Sequence, residues 1–238
     1  MKPLFAILFL LSSNLAIADE PGSSEATVTI LQSKTSGIDK DEVAAMNDIT
    51  TMVQNQDIDG AFRKLEPILA RCDSSQTSSD KKIVYFEDAV EFLEYSMAAG
   101  NKKDLVWIKD TCPSAYKAAA FLYVEKGDSE NTLKYLDKAI ERAPFWAEPF
   151  TERGFLLGKL KNFKAAKAAY EKAIELASAH ESSAYVKPLA LRGLGIVLID
   201  LGELDPAKAA LEESLVLEPN NKLALGELEY IGQLQAKK

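Results

Sequence analysis

Apolar residues recur at helical spacing along the C-terminal half of this chain, and the whole arrangement then repeats. Leu191, Leu194 and Leu198 mark one face of a predicted first helix. Ala207 and Leu211 mark a second, which Pro219 closes. One period earlier Phe150, Gly154 and Leu157 are followed by Ala166, Tyr170 and Ala173. Before those, Tyr116, Ala119, Ala120 and Tyr123 are followed by Thr132, Leu136, Ala139 and Pro144. The period is about 34 residues, a length that means stacked helical hairpins. Gly127 and Gly202 fall where first helices end and a left-handed residue is wanted. Pro144 and Pro219 stop second helices. Gly154 and Gly195 let neighbouring helices approach closely, and the second-helix alanines do the same from the other side.

Three units follow from this spacing: Pro113 to Trp146, Ala147 to about Ala179, and Pro188 to Asn221. Together, over residues 113–221, they resemble the tetratricopeptide-repeat family in its exported bacterial form. The resemblance implies an all-α fold, a right-handed α-solenoid of helical hairpins. Ser178 replaces the closing proline of the middle unit. About seven extra residues precede the third, close to two helical turns, so helices lengthen there without rotating their apolar faces out of register. Residues 222–238 carry Leu225, Leu228, Ile231 and Leu234 among polar residues, the pattern of a capping helix. Upstream, residues 39–112 read as degenerate helical pairs. Ile58, Ala61, Leu65 and Ile68 take second-helix packing positions, and Pro67 predicts a kinked or shortened helix. Lys81 to Met97 and Lys103 to Thr111 read as another irregular pair around Gly100.

The N-terminal end has a different character. Residues 1–18 combine Lys2, an apolar run from Leu4 to Leu11, and Ala16-Ile17-Ala18, the pattern of a cleavable secretory signal peptide. The run is shorter than the roughly 18–20 apolar residues that span a bilayer, so no membrane insertion is expected after cleavage. Residues 19–38 form a flexible lead-in with a small apolar island at Val28, Ile30 and Leu31. This places the mature protein in the periplasm.

There are 36 acidic and 28 basic residues, for a net charge of −8, and loss of Lys2 with the leader deepens it. That balance argues against nucleic acid as a partner and disfavours an anionic membrane surface. Cys72 and Cys112 are the two cysteines. In an oxidising compartment they read most simply as a disulfide worth roughly 3–4 kcal/mol by loop closure. Two free thiols are the alternative.

Candidate chemistry is sparse. Asn55, Asp57, Asp59, Gly60 and Glu66 have the spacing of an EF-hand calcium loop. The repeat pattern makes the same residues the turn between paired helices, and a helix cannot also wrap an ion. Gly193-Leu194-Gly195 lacks the third glycine and the preceding strand of a nucleotide loop, which leaves helix packing. His180 is the sole histidine and reads as exposed within the extra segment. With one histidine and no G-x-S-x-G elbow, neither a zinc-binding histidine pair nor a serine hydrolase is supported. No cofactor, metal or small-molecule substrate is expected.

The family resemblance implies that first helices line a concave groove. Phe121, Phe155 and Ile196, just after the packing positions, point into it. Val124 and Ile199 follow one turn later, and Lys117, Thr151 and Arg192 precede one turn earlier. Some relatives clamp a peptide carboxylate there. This chain keeps Lys117 and Arg192 but has Phe and Ile where asparagine-type contacts would stand, so a full clamp is not implied. The surface suits a protein or peptide whose apolar side chains anchor it, or the chain's own Val28–Leu31 island in cis. The function implied is non-enzymatic protein binding, as an assembly adaptor, chaperone-like holder or neutraliser. The alternatives are a helical envelope enzyme or enzyme subunit, and a calcium-responsive binder.

Overall fold

Four helices of this chain end in the same way. In the computed structural model, which describes residues 39–76, 81–99 and 104–236, they are α1 (Lys40–Gln54), α4 (Cys112–Glu125), α6 (Ala147–Lys159) and α8 (Lys187–Asp200). Two residues past each end stands a left-handed residue: Gln56, Gly127, Lys161 and Gly202, with φ of 62°, 70°, 58° and 76°. The amides of Gly127 and Asp128 reach back to the carbonyls of Val124 and Tyr123, both at 2.9 Å. The same paired bonds recur at Gln56, Lys161 and Gly202. This double bond satisfies carbonyls that a helix end otherwise orphans. Glycine fills the left-handed position at two of the four sites; at Gln56 and Lys161 the cap forms against the side-chain penalty.

Each cap feeds a second helix: α2 (Ile58–Gln76), α5 (Ser129–Arg142), α7 (Phe163–Ala179) and α9 (Leu204–Leu217). The Asp57 and Asp128 carboxylates accept the amides of Gly60 and Asn131 at 2.9 and 3.0 Å, as capping residues do. The hairpins then stack, α2 on α4, α5 on α6, and α7 on α8. Apolar clusters fill the joints: Leu65, Cys72, Tyr116 and Leu122 in the first, Tyr170, Leu176, Val186 and Ala190 in the next. α10 (Lys222–Ala236) covers the end, burying Ala224 and Ile231 against Leu198 and Leu211. Residues 58–76 thus form a full second helix, and the first hairpin is better formed than its sequence suggests.

Two upstream expectations need correction. Pro67 neither ends nor shortens its helix: α2 runs through it for 19 residues, with the proline on the solvent side. Residues 81–107 are not a helical pair. They form a β-α-β insertion, with β1 (Lys81–Val84) and β2 (Asp104–Trp107) paired in parallel and α3 (Ala89–Ala99) between them. Ile83-Val84-Tyr85-Phe86 and Leu105-Val106-Trp107-Ile108 are β-branched and aromatic runs that favour strands, and parallel pairing requires a crossover, here α3. Val84, Phe86 and Phe92 make a small core, against which Phe145 packs from the α5–α6 connection.

The insertion leaves and rejoins the solenoid at Cys72 and Cys112, which are disulfide-bonded with Cα atoms 5.6 Å apart. Beside the bond, Glu42, Arg71 and Thr111 form a hydrogen-bonded triad, with Arg71 Nη2 2.6 Å from Glu42 Oε2. The extra residues before the third unit become a 3-10 turn, Glu181–Val186, that runs into α8. By length and composition Glu181–Asp200 is apolar enough to cross a membrane. Here it packs between α7 and α9 and buries Ala190, Leu191, Val197 and Leu198. The leader, the lead-in and the Val28–Leu31 island lie outside the described residues.

Candidate protein-binding face

α6 packs against α8, and ion pairs join α4 to α6, so the outward residues of these three helices are the candidate face. Lys117 bridges α4 to α6 through Glu148 at 2.7 Å and Glu152 at 3.6 Å. A Cβ on Gly158 would sit 3.6 Å from Val197, so α6 meets α8 without a gap. Burial raises the Glu152 carboxyl above its usual range, against the opposing pull of Lys117.

Phe121 and Phe155 project from this face, 43 % and 58 % exposed, with Val124 exposed beside them. The Lys159 ammonium lies 5.3 Å from the centre of the Phe155 ring. Ile196 and Ile199 are partly buried, and Ile199 packs onto the terminal cluster.

Thr151 and Arg192 are placed differently. Thr151 is buried and donates to the Ala147 carbonyl at 3.2 Å. Arg192 is buried too, and its guanidinium pairs with Glu218 at 2.5 Å beyond α9. It ties α8 to the end of α9 and offers no free cation to a ligand. Of the two cations expected in the groove, Lys117 stays on the face, and Glu148 and Glu152 already engage it.

The packing glycines act as their spacing requires. A Cβ on Gly154 would stand 3.0 Å from the Tyr170 ring, and one on Gly195 2.6 Å from Leu211 Cγ. Gly193 has the same role, since its Cβ would fall 2.6 Å from the Tyr170 hydroxyl. The calcium-loop spacing has a structural origin. Asp57 caps α2, a side chain at Gly60 would collide with that carboxylate, Asp59 pairs with Lys126 at 3.0 Å, and Glu66 lies mid-helix. These groups do not surround an ion.

His180 is not exposed. It is buried and stacked on Phe145, with ring centres 4.2 Å apart and Nδ1 3.9 Å from Glu91. The β-α-β insertion covers it, an element its own sequence context does not announce. Beside it a cavity of about 220 Å³ opens between the insertion, the start of α4 and the 3-10 turn. Its rim holds Trp146, whose indole donates to the Tyr185 hydroxyl at 3.1 Å; that hydroxyl donates to Glu148 at 2.8 Å. The Tyr185 phenol is pushed up to about 12, by burial first and then by the Glu148 carboxylate. Tyr85, on the opposite wall, is raised further, again by burial and then by Glu87.

A family model described as tetratricopeptide repeat matches residues 113–145 and 147–180, the α4–α5 and α6–α7 hairpins. This chain carries tetratricopeptide repeats. The α1–α2 and α8–α9 hairpins share their cap geometry, and the fold is a tetratricopeptide solenoid. Solved structures agree. PilF of Pseudomonas aeruginosa superposes with a TM-score of 0.58 at 15% identity, over 84% of this chain and 71% of its own. MamA gives 0.55 at 18%, over 82% of each chain. PilW, described as a type IV pilus biogenesis factor, gives 0.54 at 17%, over 79% of this chain and 73% of its own. No curated protein matches the sequence significantly.

Proposed function

We propose that this protein is a non-enzymatic interaction module of the cell envelope, holding a protein or peptide partner along the α4–α6–α8 face. The observation that carries the reading is the pair Phe121 and Phe155. They are large apolar side chains at equivalent positions of successive repeats, both substantially exposed. Exposed aromatic anchors set in a row suit an extended or helical segment that inserts apolar side chains at regular intervals. Solenoids use such preorganised surfaces for binding, with no covalent chemistry. The periplasmic assignment draws on the leader pattern of residues 1–18 and on the Cys72–Cys112 bond, which suits an oxidising compartment.

A photo-crosslinker at Phe155, with a control on the exposed Glu212, tests this directly in cells. A discrete product from Phe155 alone identifies the partner. Products confined to residues 26–31 of the same chain mean that the face is closed in cis. Silence at both positions overturns the face as the binding surface.

A further inference from the structure

We propose that the cavity beside Trp146 receives a lysine or arginine side chain of the partner, and that Glu91 is the carboxylate that pairs with it. The partner's course along the face rests on the function proposed above; the chemistry of the cavity does not.

Three carboxylates line the cavity, and two are already engaged. Asp110 is paired with the buried Arg142 guanidinium and lies 3.9 Å from Arg71. Glu87 accepts the Tyr85 hydroxyl at 2.7 Å and has Lys109 at 3.6 Å. Glu91 differs. It is 7 % exposed, and among the described residues no lysine or arginine pairs with it. Among the described residues its oxygens accept the Ser182 hydroxyl at 2.8 Å and the Glu87 amide at 3.0 Å, with His180 Nδ1 at 3.9 Å. A buried carboxylate without a lysine or arginine partner is costly, and a cation entering the cavity would offset that cost.

The walls suit the same ligand. Tyr85, Phe145, Trp146 and Tyr185 line the cavity, and aromatic rings attract ammonium and guanidinium groups, as Lys117 already shows 5.4 Å from the centre of the Trp146 ring. At about 220 Å³ the cavity is smaller than the 300–1,000 Å³ typical of whole-ligand sites, and fits the end of one side chain. Its mouth adjoins the binding face. Tyr185, 60 % exposed, reaches Glu148, and Glu148 holds Lys117 beside the row of face residues. A segment anchored on Phe121 that continues toward the start of α4, where Pro113 and Ser114 line the cavity, would pass its mouth.

The probe is agmatine, a guanidinium on a short stem that ends in an ammonium, with n-butylurea as a counterpart that carries neither charge. Binding is read on the indole N–H resonance of Trp146. Agmatine should shift that resonance saturably with a Kd on the order of 1 mM, and n-butylurea should not. Glu91→Gln, which keeps the shape and an acceptor for Ser182, should weaken binding by at least about tenfold, the loss of one buried charge pair. Should that variant fold poorly, Tyr185→Leu at the exposed rim should weaken binding several-fold. An unmoved resonance at about 10 mM agmatine, ten times the expected Kd, or an undiminished response in Glu91→Gln, overturns the proposal. Saturating agmatine should also suppress the Phe155 crosslink. A crosslink indifferent to bound agmatine would mean that the cation is a free amine and not part of the partner. Absence of any crosslink with agmatine binding intact removes the partner reading and leaves the cavity's chemistry standing.

Discussion

Tyr170 occupies the space that a side chain on Gly193 would need, its hydroxyl oxygen 2.6 Å from where a Cβ would be built. Its other edge lies 3.0 Å from the corresponding point on Gly154, so the ring is seated against both glycines. One tyrosine of α7 thereby sets the approach of both α6 and α8. Gly193→Ala is expected to lower the unfolding free energy by about 1–3 kcal/mol through overpacking, outweighing the roughly 1 kcal/mol that alanine gains in a helix. Gly226→Ala in α10, where nothing lies within 4 Å, should instead stabilise by about 0.5–1 kcal/mol. Urea titrations of both variants should show midpoints moving in opposite directions.

Pro67 offers a different test of local cost. Within α2 it removes one backbone hydrogen bond and crowds the preceding turn, and its exposed ring contributes nothing to the buried cluster. Pro67→Ala is expected to stabilise the protein by about 2 kcal/mol. A variant that melts no higher than the parent would mean that the lost backbone bond at Pro67 costs α2 nothing.

The Cys72–Cys112 bond should be worth roughly 3–4 kcal/mol through the chain entropy it removes from the unfolded state. Replacing both cysteines with alanine should lower the melting temperature under oxidising conditions. Adding reductant should lower the parent's melting temperature and leave that of the variant unchanged.

Alkaline pH should destabilise the fold. Burial pushes the Tyr170 phenol up to about 12. Burial also raises Tyr116, reinforced by its hydrogen bond to Asp73. Unfolded tyrosines ionise near 10, so the unfolded chain releases protons first and gains on the folded state. Stability is therefore full below about pH 10 and declines as pH rises from 10 towards 12. Urea midpoints across that window should fall, and more gently in Tyr170→Phe; identical slopes would remove Tyr170 from the account.

Periodic packing residues were legible in the sequence because each obeys a local rule. Gly127 and Gly202 adopt left-handed caps, Gly154 and Gly195 stand where a larger residue would clash, and Leu136, Leu211 and Tyr170 fill the joints. What the pattern hid depends on distant parts of the chain. Lys161 takes the left-handed position that glycine marks in neighbouring repeats, so its cap carries no compositional signal. The strands around Val84 and Val106 are short, and Val84-Tyr85-Phe86 beside Leu105-Val106-Trp107 is the one clue that separates them from helix. His180 sits in a polar stretch and is buried by distant residues, Phe145 stacked on it and Glu91 of the insertion beside it. Arg192 has the right register for the face, yet Glu218 draws it to the far side of α8.

The disulfide also decides how the molecule would carry load. A pull applied to the two ends would pass from α2 to α4 through sulfur, bypassing the β-α-β insertion. The separation of 40 residues corresponds to about 130–140 Å of contour length. While the bond is intact that length stays slack, even after every helix has unravelled. A stretched molecule would be shorter by this amount in oxidising surroundings than in reducing ones, so its full extension reports the redox state of the compartment that holds it.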